Sequence, residues 1–143
     1  MNKQIITVKG NSMYPAVLPN DKVFISRKND YDAGAILVYV YRSEQYLIHR
    51  LLRCINNRYY CKGVNSFRLE EVEKQDILGQ VEFILRNDHI IIPKYVTPEF
   101  IQHSFKIGIE FLCNGFNRDN IQNSDIYIKY KHLYLGDDIN VVR

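Results

Sequence analysis

The chain has 143 residues, 46% of them apolar and 24% charged, and 19 basic against 16 acidic side chains give a formal net charge of +3. That length suits one domain with a sizeable core, and the composition is ordinary for a soluble globular protein. The basic excess is small and scattered, with no Lys/Arg block, which argues against a nucleic-acid partner.

Eleven Tyr and seven Phe, with abundant Val and Ile, favour strands over helices. The opening MNKQIITVKG has one Lys but lacks the ~7–15-residue apolar core of a secretory signal. Within it, Ile5 to Val8 reads as a strand stopped at Gly10. Lys22 to Ser26 alternates, and the polar turn RKNDYDAG follows. Ala35 to Tyr41 is a nearly continuous apolar run, as expected of a strand buried on both faces. Gln45 to Cys54 pairs with it, and Asn56-Asn57 makes a hairpin turn into Arg58 to Lys62. Ile77 to Leu85 is a further strand. This spacing predicts a mainly β fold, a coiled antiparallel sheet or partial barrel over residues 4 to 85.

Thr97-Pro98-Glu99 then starts a helix, with Thr97 as N-cap and Pro98 at its first position. Phe100, Ile101, Phe105, Gly108, Ile109 and Leu112 recur at helical spacing up to Asn114-Gly115, predicting one face packed on the sheet. Lys106 and Glu110 interrupt this apolar stretch, and no segment reaches the ~18–20 residues of a membrane span. No transmembrane segment and a cytoplasmic location are therefore expected. Tyr127 to Leu135 alternates and is expected to add a strand. The expected organisation is a β domain over 1–85 and a helix-plus-strand extension over 86–143 packed on it. Cys54, Cys61 and Cys113 form no CxxC pair and no metal spacing. The odd count suits reduced thiols, with a Cys54–Cys61 bridge between neighbouring strands as the alternative. No metal and no cofactor are expected.

The chemistry is sought in GNSMYP, Gly10 to Pro15, which a second turn at Pro19-Asn20-Asp21 follows. A Ser between Gly and a Pro-bounded turn sits on irregular backbone, where its hydroxyl can be exposed and nearby N–H groups can face an oxyanion. A lone Ser of this kind is ordinarily a turn former. The blocks around it resemble a family. GNSMYP is similar to the G-x-S-M-x-P box of signal peptidase I and its relatives, the superfamily that includes self-cleaving SOS repressors. Pro19 to Val23 resembles the P-G-D-x-V turn, and Tyr31 to Tyr39 the Y-x-x-G-D-I-V-x-F strand with Ala35 in place of Asp. Leu47 to Arg50 resembles the V-H-R box of the archaeal and endoplasmic-reticulum branch, Lys62 to Asn65 a K-G-D-N segment, and Ile77 to Val81 the closing I-L-G-K-V strand. These six blocks run in order over about residues 8 to 83.

The resemblance implies a serine endopeptidase with Ser12 as nucleophile and His49 as general base, since His49 stands where the Ser-Lys enzymes carry lysine. An ordinary imidazole, titrating near ~6.5, can accept the hydroxyl proton at neutral pH, whereas a lysine must first be deprotonated by burial. Read without the resemblance, His49 is a packed or exposed histidine on a strand. The branch also orients its histidine with an Asp seven residues beyond the Gly of K-G-D-N. The count from Gly63 ends at Glu70, with Glu71 next to it. A Glu fits there only where the backbone withdraws by about one methylene. The other reading of Glu70, Glu71 and Glu73 is a solvated acidic stretch. Val64 replaces the Asp of K-G-D-N, and Asn20 replaces the Gly of P-G-D while still tolerating a left-handed turn.

By the same resemblance Met13 and Tyr14 line the substrate edge, with core contact as the alternative, and the Ser12 N–H is the oxyanion donor. The expected substrate is an extended peptide or precursor protein, bound beside a strand edge and cut after a small residue. His89, His103 and His132 show no ligand spacing, and Asp137-Asp138 reads as a solvated turn. The eleven residues before Ser12 disfavour the self-cleaving repressor role, whose scissile bond and DNA-binding domain lie N-terminal to the nucleophile. A protein partner at a membrane is a further possibility of the soluble form. The competing function is a non-catalytic member that holds peptides or a partner protein in the same cleft.

Overall fold

A computed structural model describes residues 3–10, 12–14, 16–42, 45–64, 66–94 and 96–113. The expected strand over Tyr127 to Leu135, the helix end at Asn114-Gly115, His132 and the Asp137-Asp138 turn lie outside the described residues. The strands are β1 (Lys3–Thr7), β2 (Lys22–Ser26), β3 (Ile36–Tyr41), β4 (Gln45–Ile55), β5 (Arg58–Lys62), β6 (Glu70–Glu73), β7 (Ile77–Arg86) and β8 (His89–Ile91). A 3-10 turn at Lys74–Asp76 precedes β7, and helix α1 (Pro98–Cys113) comes last. All pairings are antiparallel, in the order β1-β2-β7-β3-β4-β5-β6, with β8 also on β7. The sheet does not close, so the protein is mainly β, as its sequence predicts.

Turn chemistry fixes much of this order. Asn56 and Asn57 both take positive φ, 51° and 65°, the pair of left-handed residues a two-residue hairpin turn requires between β4 and β5. Asn87 and Asp88 do the same between β7 and β8, at 49° and 66°. Asn20 turns at φ 75°, filling the place where a Gly would be easiest. That turn is tied down: Val8 N donates to Asp21 O at 2.8 Å and Asn20 N to Val8 O at 2.8 Å. The buried Asp21 carboxylate accepts the Leu18 N–H at 2.8 Å and two bonds from Arg86, at 2.9 and 2.7 Å. The chain leaving β1 is thereby anchored to the far end of β7.

β3 is buried on both faces at its start, because side chains alternate across a strand and both faces here are covered. Ile36 and Val38 join the larger core, with Val23, Ile25, Val81 and Ile84, under Phe100, Ile107 and Phe111 of α1. Leu37 and Tyr39 join a smaller one, with Tyr31, Leu51, Tyr59, Cys61, Val72 and Ile77.

Thr97 caps α1, its Oγ1 accepting the Phe100 N–H at 3.1 Å. The helix face differs from expectation. Phe100, Ser104, Ile107, Gly108 and Phe111 are buried, whereas Ile109 and Leu112 are exposed. The small residues Ser104 and Gly108 bring the helix close. A Cβ at Gly108 would lie 2.3 Å from the Leu69 side chain, and of the expected stripe Phe100 and Gly108 are buried, Ile101 and Phe105 half-buried, and Ile109 and Leu112 turned outward. β6 and β8 go beyond the strands read from sequence. The stretch Glu70–Glu73 is solvated only at Glu71 and Glu73, since Glu70 and Val72 point inward. Cys54, Cys61 and Cys113 are free thiols.

Candidate active site

Ser12 stands in a turn just past β1, half-buried. His49 lies mid-strand in β4, and Glu70 opens β6. The register explains how they meet. Leu37 on β3 faces His49 on β4, Leu51 faces Cys61 on β5, and Cys61 faces Glu70 on β6. Residues two apart share a face, so Tyr39, His49, Leu51, Cys61 and Glu70 all project to the smaller core.

Ser12 Oγ is 3.0 Å from His49 Nε2, and His49 Nδ1 is 2.6 Å from Glu70 Oε1. His49 is 4% exposed and Glu70 6%. An ionised carboxylate is acceptor only, and its pairing with Glu70 assigns the proton to Nδ1 and leaves Nε2 to accept the Ser12 hydroxyl hydrogen. Glu71 points to the opposite face, where its carboxylate accepts from Arg58 at 3.0 Å and from the Tyr60 hydroxyl at 2.8 Å. Of the two candidate acids, only Glu70 reaches the imidazole.

Four neighbours outside the catalytic set expected from sequence, Tyr39, Cys61, Gly63 and Lys62, complete the arrangement. The Tyr39 oxygen lies 3.0 Å from His49 Nδ1 and its hydroxyl donates to Glu70 Oε1. Burial, with Cys61 and Glu70 nearby, pushes the phenol far above its usual range, so it stays protonated. Burial pushes the Cys61 thiol up as well. Gly63 packs where a side chain cannot fit: a Cβ there would sit 2.7 Å from Ser12 O and 3.1 Å from His49 Nε2. Lys62 is 1% exposed and donates to the carbonyls of Gly63 at 3.1 Å and Ser66 at 2.7 Å. Burial pulls its ammonium down to about 7. The alternation of the β3 run against His49 is the sequence signal that could have singled out Tyr39.

Helix α1 backs the segment leading into Glu70. Phe111 packs on Phe67 with ring centroids 5.8 Å apart, and Gly108 receives Leu69. On the other side of Ser12 a cleft of about 420 Å³ is lined by Ile6 to Gly10, Ser12, Met13, Val38 and Gln45 to Ile48. β5 pairs with β4 only from Arg50 on, and β1 pairs with β2, which leaves the outer edges of β1 and of Gln45 to His49 bordering this cleft among the described residues. Met13 is buried in the larger core, accepts the Val64 N–H on sulfur at 3.5 Å, and forms cleft wall. Tyr14 is 50% exposed and is not among the residues lining the cleft.

His89 is exposed on β8, and His103 lies 3.8 Å from Glu99 on α1. Among the described residues no group of three or more His, Cys, Asp or Glu is placed to hold a metal ion, and no helix is long and apolar enough to cross a membrane. No curated protein gives a significant match to the chain. The profile of one family does, over residues 2–82, the stretch that holds Ser12, His49 and Glu70 and more than half of the sequence: the chain belongs to the Peptidase S24-like family of serine peptidases.

Proposed function

We propose that the protein is a serine endopeptidase of the Ser-His type, close to the signal peptidase pattern, with Ser12 as nucleophile, His49 as general base and Glu70 as the carboxylate that orients it. The observation that carries this reading is the unbroken sequence of contacts from Ser12 Oγ to His49 Nε2, 3.0 Å, and from His49 Nδ1 to Glu70 Oε1, 2.6 Å. Ser12 Oγ attacks the scissile carbonyl as its proton passes to Nε2, and Glu70 stabilises the imidazolium that forms. The Ser12 N–H supports the oxyanion. His49 then gives the proton to the leaving amine, which breaks the C–N bond and leaves an acyl-serine. Water, deprotonated by His49, hydrolyses that ester and restores the hydroxyl.

The substrate is a peptide or precursor protein in extended form, added as a strand to the edges of β1 and Gln45 to Ile48. It is cut after a small residue, with Met13 of the cleft wall contributing to its seat, whereas Tyr14 lies outside that wall. The free thiols of Cys54, Cys61 and Cys113 suit the cytoplasm as the place of action.

The test is incubation of wild type and Ser12→Ala with candidate precursor peptides, with products read by mass spectrometry. Cleavage after a small residue, lost in the variant, is expected. A peptide that binds both forms and is cut by neither would show the protein to be a binding module instead.

A further inference from the structure

We propose that the Tyr39 hydroxyl is a fourth, positioning member of the site, holding the long Glu70 side chain and fixing the proton of His49 on Nδ1. This rests on the catalytic reading of Ser12 and His49, and adds to it a residue to which the motif reading gives no role, although Tyr39 closes the Tyr31 to Tyr39 block.

The geometry is specific. A Glu has one more rotatable bond than an Asp, and a carboxylate on that stem needs a second contact to stay on the imidazole. Tyr39 supplies it, since its hydroxyl donates to Oε1, the same oxygen that meets His49 Nδ1. With its hydrogen committed to the carboxylate, the phenol can only accept on its other side, where Nδ1 lies 3.0 Å away. The Nδ1–H is therefore faced by two oxygens, and moving that proton to Nε2 would set a bare nitrogen against both. Tyr39 is fully buried, so water does not replace its hydroxyl. The titratable groups around it are Glu70, His49, Cys61 and Tyr41. The 3-10 turn, which carries Lys74 and Asp76, also packs near β3, and Lys74 lies 3.8 Å from the exposed Asp30.

A merely packed ring and a positioning hydroxyl predict different kinetics. Removing a donor from a buried carboxylate raises the proton affinity of the Glu70–His49 pair as a unit, because a hydrogen bond to the charged form had favoured that form. In Tyr39→Phe, kcat should fall about tenfold, as for loss of one bond to a charged group, with KM within about twofold. The acid limb of the kcat/KM profile should move up by about half a pH unit. 3,5-Difluorotyrosine at position 39 is a stronger donor of nearly the same size, and it should move the limb down. The His49 Cε1–H resonance, followed against pH, should move in the same directions without any substrate present.

Equal limbs and equal His49 titrations in wild type and both variants would overturn the proposal, as would a Tyr39→Phe defect confined to KM. The two readings fail separately. If Ser12→Ala abolishes cleavage while the limbs stay fixed, Tyr39 is only packing. If the His49 resonance moves as expected but Ser12→Ala still cleaves, the hydrogen-bond network stands and the nucleophile is wrong.

Discussion

The two faces of the sheet bury polar groups equally deeply and treat them differently. On the face of Leu37 and Tyr39, the side chains of Tyr39, His49 and Glu70 meet one another, and the chain of contacts ends on the half-buried Ser12 hydroxyl at the cleft. On the face of Ile36 and Val38, the register partners Arg50 and Lys62 reach backbone: Arg50 Nη1 donates to Gly34 O at 2.8 Å, and Lys62 to the carbonyls of Gly63 and Ser66. Asp21 and Arg86 form a third kind, an ion pair that closes on itself and on a turn. Depth of burial therefore does not mark a site. What distinguishes the first face is a relay of hydrogen bonds with one end at the cleft, whereas the other groups hold loops where the fold needs them.

The largest effect should come from the ends of that relay. Ser12→Ala and His49→Ala should each remove peptidase activity by about three orders of magnitude or more while leaving the circular dichroism of a folded β protein. Groups acting as one unit are not additive, so the double variant should be no worse than either single one. Activity of Ser12→Ala at the wild-type rate would break the distinction between the faces at its strongest point.

The next effect separates neighbours on β6. Glu70→Gln should lower kcat by about a hundredfold or more, since an amide cannot stabilise the imidazolium. Glu71→Gln removes exposed contacts to Arg58 and Tyr60, where surface pairs contribute little, and should change kcat less than about twofold. Equal small losses would make the site a Ser-His dyad and leave Glu70 a structural group.

The Asp21–Arg86 pair should answer in stability. Asp21→Asn leaves a buried guanidinium facing one acceptor fewer, and loss of one partner of a buried pair costs about 3 kcal/mol. The expected outcome is a lower denaturant midpoint, with kcat per folded molecule nearly unchanged. A catalytic defect larger than the stability defect would show that the turn behind Ser12 transmits to the nucleophile.

Much of this was legible in the sequence, for physical reasons that also show where legibility stops. The Asn56-Asn57 turn and the apolar run of β3 specify local structure strongly, and they fall where expected. β6 is short and acidic, and it becomes a strand because β5 pairs with it and Val72 fills the smaller core. No local signal carries that. α1 has apolar residues around much of its surface, and which of them are buried depends on contacts such as Leu69 with Gly108 and Phe67 with Phe111, between segments far apart in sequence. The same holds for the site. Ser12 and His49 stand in recognisable blocks and Glu70 at a countable distance. Tyr39 and Lys62 stand in such blocks too, but their contacts come from register and from a loop closing on its own carbonyls.

Lys62 offers the smallest and most discriminating test of the second face. Its folded ammonium is pulled down to about 7 by burial, against about 10.4 in an unfolded chain. Between those values the unfolded state binds a proton that the fold lacks, so stability rises with pH. Below about 7 both states hold the proton, and the fold carries the full cost of the buried charge. Cys61 acts in the opposite sense: its thiol is pushed up, so stability falls once an unfolded cysteine begins to ionise near ~8.5. The clean window is therefore about pH 7 to 8.5, where unfolding free energy of the wild type should climb by no more than one proton's slope. Lys62→Met keeps the length of the stem and removes the titration, so its curve should be flat where the wild type rises. Equal slopes in the two proteins would mean that Lys62 keeps its charge in the fold. The carbonyls of Gly63 and Ser66 would then be compensating an ammonium fully, and the loop against Ser12 and His49 would be held by a charge at neutral pH.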